Sequence, residues 1–145
     1  MKIPIHSTNR RELVYYVATT VDHYIAHADG SIDGFTNHEG FVADFMASLT
    51  QFDTVLMGKN TYEFGYQYGL EPGQPAYAPL GLMNYVFSQT MPEYTHEKLR
   101  VIQDDPTTFV QSLKQESGKP IWLCGGGAFA GYLLDHQLID RLIIK

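Results

Sequence analysis

Short apolar segments alternate along the chain with segments in which apolar residues recur every three or four positions. The short segments are rich in β-branched and aromatic residues, which is typical of strands, and the others have the period of amphipathic helices. This alternation predicts an α/β fold, a three-layer sandwich with a mostly parallel central sheet and helices on both faces. The predicted strands are 12–20, 53–58, 82–88, 99–103, 121–124 and 139–144, and we place the first of them centrally. One predicted helix begins at 37, and three others span 59–64, 106–116 and 128–136.

Two long segments show neither the residue pattern of a strand nor the period of an amphipathic helix. Residues 21–36 contain two glycines and three aspartates, and residues 65–81 contain three prolines and several glycines and tyrosines. Loops of this length in compact domains are often functional. The tyrosines near the second segment could stack on a substrate or an adenine, pack the loop against the core, or form a dimer surface; they are Tyr62, Tyr66, Tyr68 and Tyr77.

The charge balance argues against several classes of partner. The 145 residues include 10 Lys and Arg against 16 Asp and Glu, a net charge of −6 without any basic run. We therefore expect no nucleic-acid partner and no binding to an anionic membrane surface. No apolar run approaches the ~20 residues of a membrane span, and the N-terminus has no signal-peptide core. We expect one cytoplasmic domain over residues 1–145, with residues 1–10 as a flexible leader.

Cys124 is the only cysteine of the sequence. It excludes an internal disulfide framework and fits a reducing compartment. Its position beside three glycines would suit a nucleophile, but a small apolar residue filling the end of a strand is the interpretation we favour.

Gly125, Gly126 and Gly127 lie between a predicted strand and a predicted helix. Glycines let a ligand approach the backbone and can turn successive N–H groups towards one anion at a helix N-terminus. The alternative is that they only allow the helix to pack close to the sheet. The spacing is not that of the G-x-G-x-x-G dinucleotide motif.

Other predicted strand ends carry compatible residues. The carboxyl ends of parallel strands meet at one edge of the sheet, where ligands of open α/β sheets bind. Threonines end the first strand, Gly58 and Lys59 the second and Ser88 the third. Lys59 is unfavourable at a helix start, so either a bound phosphate compensates for it or its side chain points to solvent. Thr61 could instead cap the helix, and Ser88 could occupy a turn.

Several segments together resemble one superfamily. They are 17–26 (VATTVDHYIA), 29–33 (DGSID), 55–63 (VLMGKNTYE), 85–88 (YVFS), 121–127 (IWLCGGG) and 138–142 (LIDRL). In this order, over residues 12–145, the chain resembles the dihydrofolate-reductase-like superfamily. It is most similar to the reductase domain of the bacterial riboflavin-biosynthesis deaminase-reductase and its stand-alone relatives.

The resemblance implies NADPH as hydride donor and assigns residues to it. Ala18 and Ile25 would flank the nicotinamide carboxamide, and Ser88 would lie beside the adenosine 2′-phosphate. The residues implied to hold the other phosphates are Gly58, Lys59 and Thr61, and those implied to cover the pyrophosphate are Gly125, Gly126, Gly127, Ala128 and Phe129. Relatives continue through further C-terminal strands, so we expect a truncated sheet that is either incomplete or completed by a second chain. We also expect a homodimer.

The sequence departs from the family pattern at informative positions. His23 stands where the family has a glycine, at a place where the backbone may need a positive φ. Lys59 stands where the family has an arginine, which keeps the charge but loses the planar group that binds phosphate through two hydrogen bonds. Gly34 and Phe35 occupy the place of a loop tryptophan. From the change at Lys59 we predict weaker discrimination for NADPH over NADH.

The expected reaction is reduction of a ribosylamino-type carbonyl or imine in a small pyrimidine-like or pterin-like substrate. A folate reductase is disfavoured because residues 21–40 lack its Pro-Trp pair and the carboxylates Glu39 and Asp44 do not align with its acid. The candidate proton donors are Asp33, Asp22 and Glu39, each of which could instead be a solvated or capping carboxylate. A non-catalytic nucleotide-binding or oligomerisation relative is the alternative function.

A metal site is disfavoured. His23, His27 and Asp29 share one predicted loop, but they lack helical spacing and a fourth ligand. The remaining histidines read as surface or capping residues; they are His38, His96 and His136.

Overall fold

A six-stranded sheet forms the centre of the computed structural model, which describes residues 11–17 and 46–144. Every pair of neighbouring strands is parallel. The strands are β1 (Leu13–Val17), β2 (Thr54–Gly58), β3 (Met83–Phe87), β4 (Leu99–Ile102), β5 (Ile121–Gly125) and β6 (Arg141–Ile144), and their order is β4-β3-β2-β5-β1-β6. β1 is interior but second from an edge, so its predicted central position is wrong; β2 and β5 are central.

Three α-helices connect the strands of the described residues: α1 (Lys59–Phe64), α2 (Pro106–Gln115) and α3 (Gly127–Asp135). Asp105 caps α2, because its side chain accepts a hydrogen bond from the Thr107 N–H at 3.3 Å. Short 3₁₀ turns at Leu49–Gln51, Gly65–Tyr68 and Ala78–Leu80 interrupt the loops. Within the described residues, no helix has the length and apolar character needed to cross a membrane.

The two faces of the sheet bury separate apolar clusters, because successive strand residues point to opposite sides. One cluster lies under α1 and the Leu49 turn, and the other lies under α2 and α3. The first includes Val14, Tyr16, Leu49, Val55, Met57, Tyr62 and Trp122, and the second includes Leu13, Leu56, Val110, Leu113, Ile121, Leu123 and Leu133. The predicted three-layer α/β sandwich is confirmed.

Several described element boundaries differ from the prediction by one or two residues, and two of these differences have local reasons. β5 continues to Gly125, so α3 begins at Gly127, one residue before the predicted start. β6 begins at Arg141 and not at residue 139, because Asp140 is held by Leu13. The Asp140 N–H donates to the Leu13 carbonyl at 2.9 Å, and its carboxylate accepts from the Leu13 N–H at 2.8 Å.

Arg11, just before β1, connects the amino ends of β1, β2 and β5 through hydrogen bonds. Its guanidinium pairs with Asp53 and donates to the Thr54 hydroxyl at 2.9 Å, just at the start of β2. Its Nε donates to the Lys119 carbonyl, before β5, at 2.8 Å. The charged groups Arg11 and Lys119 therefore lie at the edge of the sheet opposite to the carboxyl ends of the strands.

Candidate functional site

The glycine bend, residues 125–127, joins β5 to α3. Gly125 has φ +136°, a conformation that L side chains rarely adopt, and its peptide bond to Gly126 is cis. A Cβ on Gly126 would lie 3.1 Å from the Thr61 hydroxyl oxygen, and one on Gly125 would lie 3.8 Å from it. The backbone of the bend therefore lies close to Thr61, and side chains there would fill the space between them.

The N-terminus of α3 fits an anionic group. Gly126 is the N-cap and offers no side-chain hydrogen bond, and the first turn contains no acidic residue. The first N–H groups of a helix have no partner within the helix, and the helix dipole favours negative charge beside them. The bend and the first turn thus form a backbone surface suited to phosphate oxygens.

Phe129 brings the first turn of α3 against two other strand ends. A Cβ on Gly58, the last residue of β2, would lie 3.6 Å from the Phe129 Cβ. The rings of Phe129 and Phe87 are 4.8 Å apart between centroids, and Phe87 ends β3. Glycine at position 58 therefore allows α3 to pack closely over the ends of β2 and β3.

Lys59 and Ser88 are connected through Thr90. The Lys59 ammonium donates to the Thr90 hydroxyl at 3.1 Å, and the Ser88 and Thr90 hydroxyl oxygens are 3.4 Å apart. The Ser88 hydroxyl also accepts from the N–H groups of Thr90 and Met91, both at 3.1 Å. In the described part of the chain no carboxylate pairs with Lys59. Sequence reasoning missed Thr90, which lies in an irregular segment after β3 without a motif to mark it.

An apolar cavity, which we call the inner cavity, opens beside Thr61 on the face of the sheet covered by α1. Its volume is about 470 Å³. Among its described lining residues, Thr61, Tyr62, Tyr77 and Cys124 carry polar side-chain groups, and the others are apolar. The described lining residues are Met57, Thr61, Tyr62, Phe64, Gly65, Leu70, Ala76, Tyr77 and Cys124.

A second, more open depression, which we call the outer cavity, lies on the face covered by α2 and α3. Its volume is about 400 Å³. Aromatic residues line one side, and Ser88, Gln89 and Asp104 supply polar groups. The described lining residues are Phe87, Ser88, Gln89, Ile102, Asp104, Pro106, Phe129 and Tyr132. The residues on either side of the glycine bend line the two cavities, Cys124 the inner cavity and Phe129 the outer cavity. We call the bend and the two cavities together the crevice.

Tyr62 of α1 and Tyr77 of the 65–81 loop pack in the core. The Tyr62 hydroxyl donates to the Gln74 carbonyl at 2.6 Å and accepts from the Gly73 N–H at 3.0 Å. Tyr77 meets Trp122 edge to face, with centroids 4.9 Å apart. Of the three interpretations of these tyrosines, packing describes Tyr62 and Tyr77, and both also line the inner cavity.

Cys124 is a packing residue near the end of β5, and its thiol is protonated at neutral pH. Burial raises the pKa of its thiol to about 12, an effect that a hydrogen bond from the Tyr77 hydroxyl only partly opposes. The charge of a Cys124 thiolate, together with burial, in turn raises the pKa of Tyr77. The thiol is therefore protonated at neutral pH, when nucleophilic cysteines need to be thiolates.

We expect iodoacetamide to alkylate native Cys124 at pH 8 at least about tenfold more slowly than it alkylates the unfolded chain. Because the folded pKa lies above the unfolded value, the thiol's contribution to stability is complete below about pH 8.5 and is lost as the pH rises towards 12. Urea unfolding of wild type and Cys124→Ser between pH 8 and 11 measures this difference. A wild type that alkylates as fast folded as unfolded would contradict the assignment.

The structure brings most of the predicted cofactor residues to one edge of the sheet. They are Gly58, Lys59, Thr61, Ser88, Gly125, Gly126, Gly127, Ala128 and Phe129. His136 caps the C-terminus of α3, as expected of a capping residue. Among the described residues, no group of three or more His, Cys, Asp or Glu could hold a metal ion.

Other predicted positions lie outside the described residues. They are Ala18, Ile25, the carboxylates Asp22, Asp33 and Glu39, the loop group His23, His27 and Asp29, and His38. The leader 1–10, the loop 21–36 and the start of the helix at 37 lie outside them as well.

Comparison with known proteins gives a family by sequence and a fold by structure. The RibD C-terminal domain family matches residues 81–145. The uncharacterized protein YwjB of Bacillus subtilis (strain 168) is 32% identical over 138 residues, which are 92% of this chain and 75% of that protein.

Two solved structures have the same fold. RibD of Acinetobacter baumannii aligns with TM-score 0.66 at 16% identity, covering 95% of this chain and 46% of that protein. The diaminohydroxyphosphoribosylaminopyrimidine deaminase/5-amino-6-(5-phosphoribosylamino)uracil reductase of Thermotoga maritima aligns with TM-score 0.62 at 15% identity, covering 90% and 43%. This chain therefore corresponds to less than half the length of these two proteins.

Proposed function

Because the chain belongs to the RibD C-terminal domain family, we propose that it is an NADPH-dependent reductase of a small ribosylaminopyrimidine-like or pterin-like substrate. The observation that carries this proposal is the glycine bend, flanked by Cys124 in the wall of an apolar cavity of about 470 Å³ and by Phe129 in the wall of an aromatic depression of about 400 Å³. A dinucleotide needs such a division, with a phosphate surface between a site for adenosine and a site for the reactive ring.

Each part of the crevice has a role in this proposal. The N–H groups of the glycine bend and the Thr61 hydroxyl would hold the pyrophosphate. Lys59, with Ser88 and Thr90, would bind the 2′-phosphate. The aromatic side of the outer cavity would receive the adenine ring, since aromatic side chains stack well on bases; its members are Phe87, Phe129 and Tyr132.

The chemistry is hydride reduction. When bound, NADPH would supply the hydride to the carbon of a C=N or C=O bond, and a side chain or water would supply the proton to its nitrogen or oxygen. The protein contributes orientation, because holding both reactants face to face removes much of the entropic barrier, and the apolar inner cavity excludes water. Asp33, Asp22 and Glu39 remain the proposed proton donors.

Turnover assays test the proposal directly. Loss of reduced-nicotinamide absorbance with 5-amino-6-(5-phosphoribosylamino)uracil, its dephosphorylated form or a dihydropterin is the expected result. Thermal stabilisation by NADPH without turnover on any of these compounds would instead support a non-catalytic nucleotide-binding relative. No stabilisation and no turnover would refute both functions.

Lys59 and Asp104 should have opposite effects on cofactor choice. Lys59→Ala should weaken NADPH binding about tenfold and NADH binding much less, because a hydrogen bond to a charged group contributes about 1.5–3 kcal/mol. Asp104 lines the outer cavity, so Asp104→Asn should strengthen NADPH binding by removing a repulsive charge. Calorimetry with NADPH and with NADH measures the ratio of the two dissociation constants for each variant.

The exposed Lys98 precedes β4 at the opposite edge of the sheet, so Lys98→Ala is the matched control and should leave both affinities unchanged. Equal losses of NADPH and NADH affinity in Lys59→Ala would show that Lys59 does not read the 2′-phosphate.

A further inference from the structure

Tyr77 has a backbone conformation that residues other than glycine rarely adopt. Its φ is 56° and its ψ is 40°, in the left-handed region, just before the 3₁₀ turn Ala78–Leu80. Such conformations persist only where the surrounding structure holds them, and they concentrate at sites that bind ligands. The chain therefore holds Tyr77 in one place at an energetic cost.

A buried asparagine fixes the backbone just before Tyr77. The side chain of Asn84, in β3, accepts a hydrogen bond from the Ala76 N–H at 2.9 Å and donates one to the Ala76 carbonyl at 3.2 Å. The same amide donates to the Leu82 carbonyl at 3.0 Å. After the tyrosine, the Leu80 N–H donates to the Tyr77 carbonyl at 2.9 Å. These bonds hold the backbone on both sides of Tyr77.

The side chain of Tyr77 is held as well. Its ring meets the buried Trp122 edge to face, with centroids 4.9 Å apart, and Trp122 donates its indole N–H to the Tyr16 carbonyl at 3.0 Å. The Tyr77 hydroxyl is hydrogen-bonded to the Cys124 thiol. Tyr77 and Cys124 are both partly buried, and both line the inner cavity.

Cys124 lies at an irregularity of the sheet. Leu56 of β2 pairs with Leu123 of β5, but the next residue, Met57, pairs with Gly125, so Cys124 is the extra residue of β5. Irregularities of this kind redirect a side chain and are frequent beside active sites. Two separate departures from regular backbone, at Tyr77 and at Cys124, therefore bring one pair of polar groups to the same cavity wall.

The Tyr77 hydroxyl can donate a hydrogen bond while it is paired with Cys124. A tyrosine hydroxyl both donates and accepts, and a thiol is a weak donor and a weak acceptor. The charge of a Cys124 thiolate and burial raise the pKa of Tyr77, and burial raises the pKa of Cys124 to about 12, so both groups are protonated at neutral pH. The thiol can then donate to the Tyr77 oxygen while the Tyr77 hydroxyl donates to a stronger acceptor.

Building on the proposed reductase function, we infer that Tyr77 is a substrate-binding residue, whose hydroxyl donates a hydrogen bond to a carbonyl oxygen or a ring nitrogen of the substrate in the inner cavity. Cys124 is a positioning residue, which orients that hydroxyl. Because the backbone and the ring of Tyr77 are held before the substrate binds, little conformational entropy is lost when the bond forms. The site thereby selects a heterocycle that offers an acceptor to this hydroxyl.

Removal of the hydroxyl alone tests this inference on the full chain. Tyr77→Phe keeps the ring that packs against Trp122. Calorimetry of 5-amino-6-(5-phosphoribosylamino)uracil with the chain saturated by NADP⁺ should give a dissociation constant at least about fivefold above that of wild type, and the dissociation constant of NADP⁺ should stay within about twofold. Tyr85→Phe is the matched control, because Tyr85 packs against Phe109 on the opposite face of the sheet and should change neither value.

Cys124→Ala provides the second arm. It should raise the dissociation constant of the uracil compound about twofold to threefold in the wild-type background and leave it unchanged in Tyr77→Phe, because Cys124 acts through the hydroxyl. Additive effects would show that Cys124 contacts the substrate itself and would overturn its positioning role.

Three results would overturn the assignment of Tyr77. They are wild-type affinity for the uracil compound in Tyr77→Phe or in Cys124→Ala with a cooperative melting transition, equal losses of affinity for the uracil compound and for NADP⁺ in Tyr77→Phe, and absence of uracil binding by a wild-type chain that binds NADP⁺. Absence of NADP⁺ binding by wild type would instead count against the proposed function.

Discussion

Gly125→Ala should lower the free energy of unfolding by about 1–3 kcal/mol and weaken NADPH binding by at least about tenfold. Gly125 has φ +136°, where a Cβ is strained whatever the surrounding space. Relief of that strain would move the bend and with it the N–H groups proposed to bind the pyrophosphate. Urea unfolding at constant m-value measures the stability, and calorimetry measures the affinity.

Two other glycines provide controls. Gly131 lies inside α3 with open space where a Cβ would be, so Gly131→Ala should raise the free energy of unfolding by about 0.5–1 kcal/mol. Gly126 has φ −81°, which alanine tolerates, but its Cβ would crowd Thr61. Gly126→Ala should therefore weaken NADPH binding with little loss of stability. A Gly125→Ala protein with wild-type stability and affinity would contradict the role given to the bend.

Asp140→Ala should lower the free energy of unfolding by about 3–5 kcal/mol, the cost of leaving a buried charge without its partner. The Lys114 side chain is only 2% exposed, and its ammonium is 2.7 Å from the Asp140 carboxylate. The same carboxylate accepts the Leu13 N–H at the start of β1. The substitution therefore removes both the counter-charge of Lys114 and a connection between β1 and β6.

Lys114→Met is the matched variant and should lower the free energy of unfolding distinctly less than Asp140→Ala does. The Asp140 side chain is 39% exposed, so water can solvate its charge, and it keeps its bond to the Leu13 N–H. Methionine also fills a similar volume among apolar residues. Denaturant unfolding of both variants gives the comparison. Equal losses of stability in the two variants would show that the buried ammonium is not the costly group.

Much of the fold could be predicted from the sequence because its signals are local. Apolar runs of strand length, the Asp105 cap before Pro106 and the glycines after Ile121 each specify a neighbouring element. Parallel strands place their carboxyl ends at one edge, so the meeting of Gly58 and Phe129 follows from correctly placed strands. Chain order, however, does not give the position of β1 within the sheet, which depends on how all the strands pair.

The finer features of the site depend on contacts between distant residues. Thr90 belongs to the site because Lys59, 31 positions away in the sequence, donates a hydrogen bond to it. No local sequence pattern predicts that contact. The inner cavity combines described residues between Met57 and Tyr77 with Cys124, and these meet only in the folded chain. The roles of Ala18, Ile25, Asp22, Asp33 and Glu39 stay predictions.

Calorimetric titration of NADPH into the full chain is the most direct test of the central claim, that the glycine bend and its two flanking cavities bind a reduced dinucleotide. The account predicts saturable binding of one NADPH per chain with a Kd below about 100 µM, weakened by Gly126→Ala. Absence of saturable binding up to millimolar NADPH, by a protein with a cooperative melting transition, would contradict it.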